Sequence, residues 1–535
     1  MLDRVYTNLM NRLLGFKKSA YKLGFITVGL LLVAMSLVYF KAVRVQMLPF
    51  DNKNEFQVLI DYPSTSTLAQ SSQWSLELAR KLVKNPEVKR VQIFAGEAAP
   101  YSFSGMVKHT FLRQGDSMND FQIELTDKDE RKIKSHEVIQ ELREEIAQFG
   151  KEKNALTRVL EVPPGPPVMA TIVAEVYGPD EATRIKVGNE VREVFASQKQ
   201  IVDIDYSWRA GRPRQFYLYD QVKGGLLGAK SEQLAGLGRY VFSETPLLVL
   251  NDSSSPEPVS VDLSISDSVR SSTNPFSGES IPSFESGVLP AANVIKAPVI
   301  RETVALTRKN LKPVNYVLAE IAGGEAPVYQ IKKLESMINY PTQTADVPWN
   351  TTEPVIKWDG EWFMTYEVFR DLGTAFAVVM VLIYILVLGW FRSFAVPLVI
   401  MAPIPISLIG VLPGHAIFHA AFTAPSMIGF IAGAGIIVRN SIILVDFIEH
   451  QLKSGMALKE AVISAGVLRF RPMLLTAAAV VVGSSVMLFD PIFQGLAISL
   501  MFGSIAATVL SRLAVPVLYF WFVGKKREME FKNEN

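Results

Sequence analysis

Apolar positions along this chain fall into three patterns, and the switches between them divide it. Residues 24–40 form an apolar run that, with its flanks, approaches the ~20 residues a membrane-crossing helix requires. After residue 370 such runs return: 372–391 is uncharged, 393–438 holds no Asp, Glu, Lys or Arg, and 472–489 and 491–511 are two more. Splitting the longest run at 413–425, where a proline stands at each end, gives five helices there and six in all. From about residue 47 to 370 no run is long enough to span a bilayer. Patterns of period two and period 3.6 alternate instead, which predicts one large extramembrane region.

Within that region residues 56–62 read as a strand, 67–83 as an amphipathic helix and 89–94 as a returning strand, followed by a strand at 121–125, a charged helix at 135–148 and a strand at 157–162. The order is βαββαβ, the ferredoxin-like split βαβ. It starts again with a strand at 170–177, a helix at 182–197, strands at 201–206 and 214–219 and a helix near 231–237. Tyr62-Pro63 and Gly178-Pro179 close the first strand of each unit. Between 243 and 299 the composition shifts to Ser, Pro, Gly and Asn. That segment is either a projecting insertion in the second module or a disordered linker; the alternation at 259–265 predicts a half-buried strand there. Strand-like and helix-like patterns resume at 303–306, 315–320 and 328–337.

Charge refines the membrane reading. Residues 1–22 place Val5, Leu9 and Leu13 on one helical face and carry Arg4, Arg12, Lys17, Lys18 and Lys22 against Asp3, which predicts a basic interfacial helix. A secretory signal competes with this reading, but no small-residue cleavage site follows. Arg392, then Lys453, Lys459, Arg469 and Arg471, then Lys525, Lys526 and Arg527 fall in alternate turns, whereas 414–426 and 490–494 carry no Lys or Arg. By the positive-inside rule both termini are expected in the cytoplasm, with Lys41 and Arg44 outvoted by the basic residues before the first span.

At 535 residues, 49% hydrophobic and 20% charged, with a mean hydropathy of +0.22, the chain must be partitioned between lipid and water. A net charge of +2 gives no case for nucleic acid, and zero cysteines exclude disulfides, thiol catalysis and thiolate metal sites. Of the five histidines only His415 and His419 have a helical ligand spacing, with no third ligand nearby in sequence. No nucleophile–base pair or phosphate loop stands in a suitable context, so an enzyme is not expected.

The stretch 429–447 carries the chemistry. It reads as a spanning helix with Arg439 among glycines and branched aliphatics. An arginine at such a centre costs about 2.5–3.5 kcal/mol, so an acidic partner inside a bundle is expected; a snorkelling side chain is the plainer alternative. Gly429 and Gly433 form a small-xxx-small face, and Arg439 and Asp446 lie two turns apart on one side. Arg512 also lies in an apolar run, where it either snorkels toward Lys525 or adds to the unpaired charge. Asp446 and Asp490 are read as the only acids in or bordering these helices, so cations outnumber their partners.

Leu48-Pro49-Phe50-Asp51, Trp358-Asp359-Gly360, the segment 435–447 and the run 468–476 (LRFRPMLLT), in this order around the βαββαβ modules, resemble the resistance-nodulation-division (RND) efflux permeases of bacterial inner membranes, specifically the carboxy-terminal half of one that exports hydrophobic or amphiphilic compounds. The resemblance implies proton-driven antiport with no cofactor, in a trimer that passes amphiphilic small molecules through a periplasmic adaptor to an outer-membrane channel. It also implies an inner-membrane location with the large region in the periplasm. Arg439 falls where relatives commonly carry a lysine paired with acids on a helix of the other half. The relay carries over onto Arg469 and Thr476, with Asn440 and Asp446 in support, and the insertion corresponds to part of a docking region. Since a guanidinium stays protonated, the proton must ride on the partner carboxylate.

The expected fold is thus a polytopic α-helical membrane protein of six transmembrane helices with a large α+β periplasmic region of tandem ferredoxin-like modules. Its parts are 1–46, a first module at 47–165, a second at 166–345 with the insertion at about 243–299, and a five-helix membrane region at 346–535. The chain begins with Met just before the helix that opens the second half of full permeases, so the acidic helix is expected from a separate first-half chain, unless this is a truncated, inactive relative. Two other functions compete. One is heavy-metal export, for which the methionines Met106, Met118 and Met169 are scattered. The other is a non-transporting, membrane-anchored interaction module.

Overall fold

A computed structural model describes the chain except residues 1, 49–51, 162–164, 166–167, 210, 244, 256–257, 273, 304, 323–325, 345 and 535. Most of the Leu48-Pro49-Phe50-Asp51 motif therefore lies outside the described residues. There are two compact units, Met1–Trp208 with Leu306–Asn535, and Arg209–Ala305.

In the first unit, helix α1 (Leu2–Gly15) precedes α2 (Lys17–Tyr39). The buried face of α1 is Tyr6, Met10, Leu13 and Leu14, packed with residues 458–465 and 515–523, while Val5 and Leu9 are exposed. The apolar stripe is thus rotated from the expected Val5/Leu9/Leu13 face, because Tyr6 and Met10 supply the larger contact surfaces. Strand β1 (Glu55–Asp61), α3 (Leu68–Leu82), β2 (Val88–Glu97), β3 (Gln114–Leu125), α4 (Ser135–Glu152) and β4 (Leu156–Glu161) follow. Their antiparallel sheet has the order β2-β3-β1-β4. Alternate residues Phe56, Val58 and Ile60 meet Leu78 and Leu82 of α3 and Val138, Leu142 and Ile146 of α4 in one core. Thr67 and Gln70 close a reciprocal capping box that starts α3.

A second sheet is built from β5 (Ile172–Tyr177), α5 (Glu181–Ala196), β6 (Ile201–Tyr206), β7 (Asn315–Ile321), α6 (Pro327–Glu335) and β8 (Val355–Asp359). Its strands run β8-β5-β7-β6, with the short strand Thr342–Gln343 beside β8. The third strand is therefore β7, not the expected segment 214–219. Arg212–Phe216 pairs instead with Val299–Thr303 inside the second unit. Because β8 is part of this sheet, the membrane region begins after Asp359, later than the boundary expected at 346.

The Trp358-Asp359-Gly360 motif joins sheet to membrane. Trp358 is fully buried and stacks on Phe195 with ring centroids 6.2 Å apart. Gly360 has φ +81, and a Cβ there would lie 2.6 Å from the Ala170 carbonyl, so only glycine fits. Helix α7 (Glu361–Phe391) starts at the next residue, with Glu361 N donating to the Thr171 carbonyl at 3.1 Å.

Then come α8 (Ala395–Met401), α9 (Pro403–Ile406), α10 (Leu408–Ile417), α11 (Ala424–Lys453), α12 (Leu458–Leu468), α13 (Phe470–Ser485), α14 (Gln494–Tyr519) and α15 (Lys525–Glu534). Counting the interrupted α8–α10, α12–α13 and α14–α15 as one each, the described residues contain six helices long and apolar enough to cross a membrane. The interruptions have local causes: Pro403 opens α9, Pro472 sits in the first turn of α13, and a π turn at Phe520–Gly524 follows Pro516.

The second unit is wider than the 243–299 insertion expected from composition, since the strands at 212–216 and 299–303 close its base. Its core is Leu234, Val241, Phe276, Ile281, Leu289 and Val294. The hairpin Thr245–Leu250 with Val259–Leu263 stands outside that core. Leu247, Leu248, Val249, Leu250, Val259, Val261 and Leu263 are all exposed, so of the half-buried strand expected at 259–265 the part that forms, Val259–Leu263, is bare on both faces, while Ile265 beyond it packs against the core.

Candidate functional site

Helix α11 is fixed at its start by polar groups. Thr423 caps it, accepting from Ser426 N, and Ser426 Oγ lies 2.9 Å from His415 Nε2. His415 Nδ1 is 2.8 Å from the Val411 carbonyl, so both ring nitrogens of this fully buried histidine are engaged. His419 is exposed, at φ 50, after α10 has ended. The pair that sequence spacing offered as metal ligands is thus divided between a hydrogen-bonded core position and a turn.

The two faces of α11 differ. A Cβ on Gly429 would lie 2.8 Å from the Leu496 carbonyl and 2.9 Å from Ser499 Cβ, which marks the close crossing of α11 and α14. Gly433 is buried, but no atom lies within 4 Å of its Cβ direction, so Gly429 alone of that pair makes the close approach. On the other face Ile428, Ala432, Gly435, Arg439, Ile443, Asp446 and His450 are all exposed, at steps of three and four along the whole 30-residue helix.

Arg439 lies in the middle of this stripe and makes no ion pair or hydrogen bond among the described residues. Its neighbour Asn440 turns inward and is buried. Asp446 is reached only at 3.5 Å, by Trp390 Nε1 of α7. Arg469 sits at the break between α12 and α13 with its guanidinium 4.5 Å from the Phe447 ring centroid, which brings it to α11 beside Asp446. Its buried Nε has no hydrogen-bond partner among the described residues. Thr476 is half-buried on α13, two turns on, and donates to the Met473 carbonyl at 2.8 Å. No hydrogen bond joins it to Arg439, Arg469 or Asp446. The structure therefore sets Arg469 against Phe447, the residue after Asp446, and joins neither Arg439 nor Thr476 to them by a hydrogen bond or ion pair.

Two residues were misread from sequence. Arg512 neither snorkels nor stands bare: it is buried, with its guanidinium 3.9 Å from the Tyr6 ring centroid and 3.6 Å from that of Phe470, and its Nε donates to the Gly466 carbonyl at 3.3 Å. It clamps α1 to the α12–α13 break beside Arg469. Glu449 is a further acid at the helix border. It is buried, accepts from Tyr519 OH at 3.2 Å and pairs with Arg527 Nε at 3.2 Å. Its place one turn after Asp446 was the available signal; that this neighbouring position is buried while Asp446 is exposed was not visible.

Beyond the membrane helices, ion pairs bind the two sheets. Arg158 of β4 meets Asp205 of β6 at 2.7 Å, Arg143 of α4 pairs with Asp203, and Val159 N donates to Asp203 Oδ2 at 3.2 Å. These contacts hold the β4 and β6 edges together. A cavity of 710 Å³ lies lower, where α2, α10 and α14 leave the apolar zone, and Lys41, Arg44, His136, His419, Phe489 and Gln494 are among its lining residues. In the second sheet Lys357 Nζ is 3.0 Å from Asp359 Oδ2 and 3.4 Å from Glu175 Oε1, and Lys309 contacts both carboxylates. Burial alone would raise the Asp359 carboxyl, but its hydrogen bond with Glu175 and the two ammoniums hold it well below the usual carboxylate range. Burial, together with that same bond, pushes Glu175 up.

Six apolar spans carrying two helix-covered sheets define a polytopic membrane protein. The chain belongs to the AcrB/AcrD/AcrF family, whose profile matches residues 1–523, within the RND permeases that its motifs resemble. It is 23% identical over 351 residues to the swarming motility protein SwrC of Bacillus subtilis (strain 168), across 64% of this chain and 32% of that protein. It is 28% identical over 162 residues to the multidrug resistance protein MdtC of Proteus mirabilis (strain HI4320), across 29% of this chain and 16% of the relative. In fold it matches crystal structures of a heavy metal efflux pump with TM-scores of 0.75 and 0.74 at 19% and 18% identity, across 97% of this chain. It spans about half the length of that pump, 52% and 51% in the two crystal forms.

Proposed function

We propose that this chain is one half of a proton-driven export permease for amphiphilic compounds, completed by a second polypeptide whose carboxylates face Arg439. The observation that carries this is the exposed stripe of α11. Lipid would leave a central guanidinium unpaired at a cost of about 2.5–3.5 kcal/mol or more, whereas a partner helix bearing an acid would neutralise it. Gly435 and Ala432, beside Arg439 on that stripe, leave room for close approach.

In this reading the proton binds the partner carboxylate. Arg439 supplies the fixed positive charge whose pairing is broken when the carboxylate is neutralised, and Arg469, Asp446, Asn440 and Thr476 line the route onward. The two sheets are ferredoxin-like porter modules in the periplasm, and both termini are cytoplasmic. The 710 Å³ cavity, with charged and aromatic groups at the membrane boundary, suits an amphiphile entering from the lipid surface. The bare apolar hairpin at 245–263 fits an assembly, with further copies in a trimer, an adaptor and an outer-membrane channel as partners, since an isolated two-stranded hairpin is at best marginally stable in water. Likeness to a heavy-metal pump at 18–19% identity bears on fold and leaves the cargo to the cavity's chemistry. Susceptibility profiling with and without this chain and a candidate first half tests the cargo: sensitisation to amphiphilic drugs is expected, and sensitisation to metal salts alone would contradict it.

A further inference from the structure

A groove of 400 Å³ runs between α2 and the end of α14, on the side of the membrane region that holds the chain's two ends. Gly24 and Val28 line one wall, and Val517, Leu518 and Trp521 the other. The groove is open along α2 because a Cβ on Gly24 would meet no atom within 4 Å. It continues into the outward face of α2, where Phe25, Ile26 and Leu32 are exposed. At its mouth two ammonium groups converge on one indole: Lys17 Nζ is 5.5 Å and Lys525 Nζ 5.6 Å from the Trp521 ring centroid. Neither lysine has an ion pair among the described residues. The acids closest in sequence to Lys525 are committed elsewhere, Glu528 to Leu458 N at 3.2 Å and Glu530 to Arg527 at 3.2 Å.

Two like charges held at one aromatic ring, at the end of an apolar trough, complement a ligand with a compact anionic head and a hydrocarbon tail. We infer that this groove binds an anionic glycerophospholipid from the leaflet facing the chain's termini, with one acyl chain along Gly24 and Val28 and its phosphate between Lys17 and Lys525. A zwitterionic lipid carries its own cation beside the phosphate, so its headgroup gains nothing net from the two lysines. The site ties the first and last spans through one lipid.

Native mass spectrometry of the full chain, purified in a neutral detergent, tests this with phosphatidylglycerol and phosphatidylcholine of the same acyl chains as probes. Phosphatidylglycerol should be retained preferentially at one molecule per chain. The double variant Lys17→Gln, Lys525→Gln should weaken that retention about thirtyfold, as expected for two basic residues at a lipid headgroup, without changing phosphatidylcholine binding. Both lysines are exposed, so the fold should survive, with the same melting temperature as a check. Gly24→Phe, which fills the trough, should weaken both lipids. Equal retention of the two lipids, unchanged phosphatidylglycerol retention by the double variant, or displacement by excess inorganic phosphate would each overturn the assignment.

Discussion

At Asp359 one carboxylate meets the buried Lys357 ammonium and the half-buried Lys309 ammonium at the last residue before the membrane junction. Its folded-state pKa is depressed, so its contribution to stability is present above the ordinary carboxylate range, near ~3.9, and is lost as pH falls through the lower folded value. Asp359→Asn should therefore cost about 3 kcal/mol at neutral pH, as for one partner of a buried pair. The difference from wild type in thermal melting should close only in strong acid; a pH-independent difference would exclude the ionic origin. Arg512 makes a different prediction. A double-mutant cycle of Tyr6→Ala and Arg512→Met should give a coupling of about 1–2 kcal/mol for a desolvated cation–ring contact. Neither ring that holds Arg512 is near it in sequence: Phe470 is 42 residues away and Tyr6 is 506. That is why the sequence displays a stray cation where the fold has a stacked one.

At the scale of elements, α11 works through two unlike faces. Gly429→Leu should force α11 away from the Leu496 carbonyl and lower the melting temperature of the isolated chain, an overpacking cost of about 1–3 kcal/mol. A Cβ on Gly435 meets no atom within 4 Å, so Gly435→Leu should leave that temperature unchanged while preventing capture of a first-half partner in co-purification. Loss of stability from Gly435→Leu, or none from Gly429→Leu, would reverse the assignment of the faces. Apolar runs and prolines made the spans and their breaks legible, and the alternation of Phe56, Val58 and Ile60 announced β1. Which face of α11 packs against its own bundle was not legible, because protein, lipid and a partner helix all accept Ile, Ala and Gly. The third strand of the second sheet was misplaced for a related reason: 214–219 reads as a strand, and only the pairing of the overlapping strand Arg212–Phe216 with Val299–Thr303 excludes it from the module. The motif residues fared unevenly. Trp358 and Gly360 have a local steric account, whereas the link between Arg469 and Phe447 depends on how two helices meet.

For the whole molecule, the proposed function needs one orientation and one partner surface. Since the natural chain lacks cysteine, Ser260→Cys on the exposed hairpin should react with a membrane-impermeant maleimide added outside intact spheroplasts. Labelling only after permeabilisation would invert the topology. The proposed partner surface is a helix with carboxylates opposite Arg439, and Arg439→Lys should keep part of the activity because it keeps the charge but loses the fork of donors. The most direct test of the central claim is drug efflux by cells that make this chain together with a candidate first half, with wild type compared against Arg439→Ala at equal membrane abundance. Efflux should require both chains and be abolished by Arg439→Ala. Full efflux by the alanine variant, or by this chain alone, would contradict it.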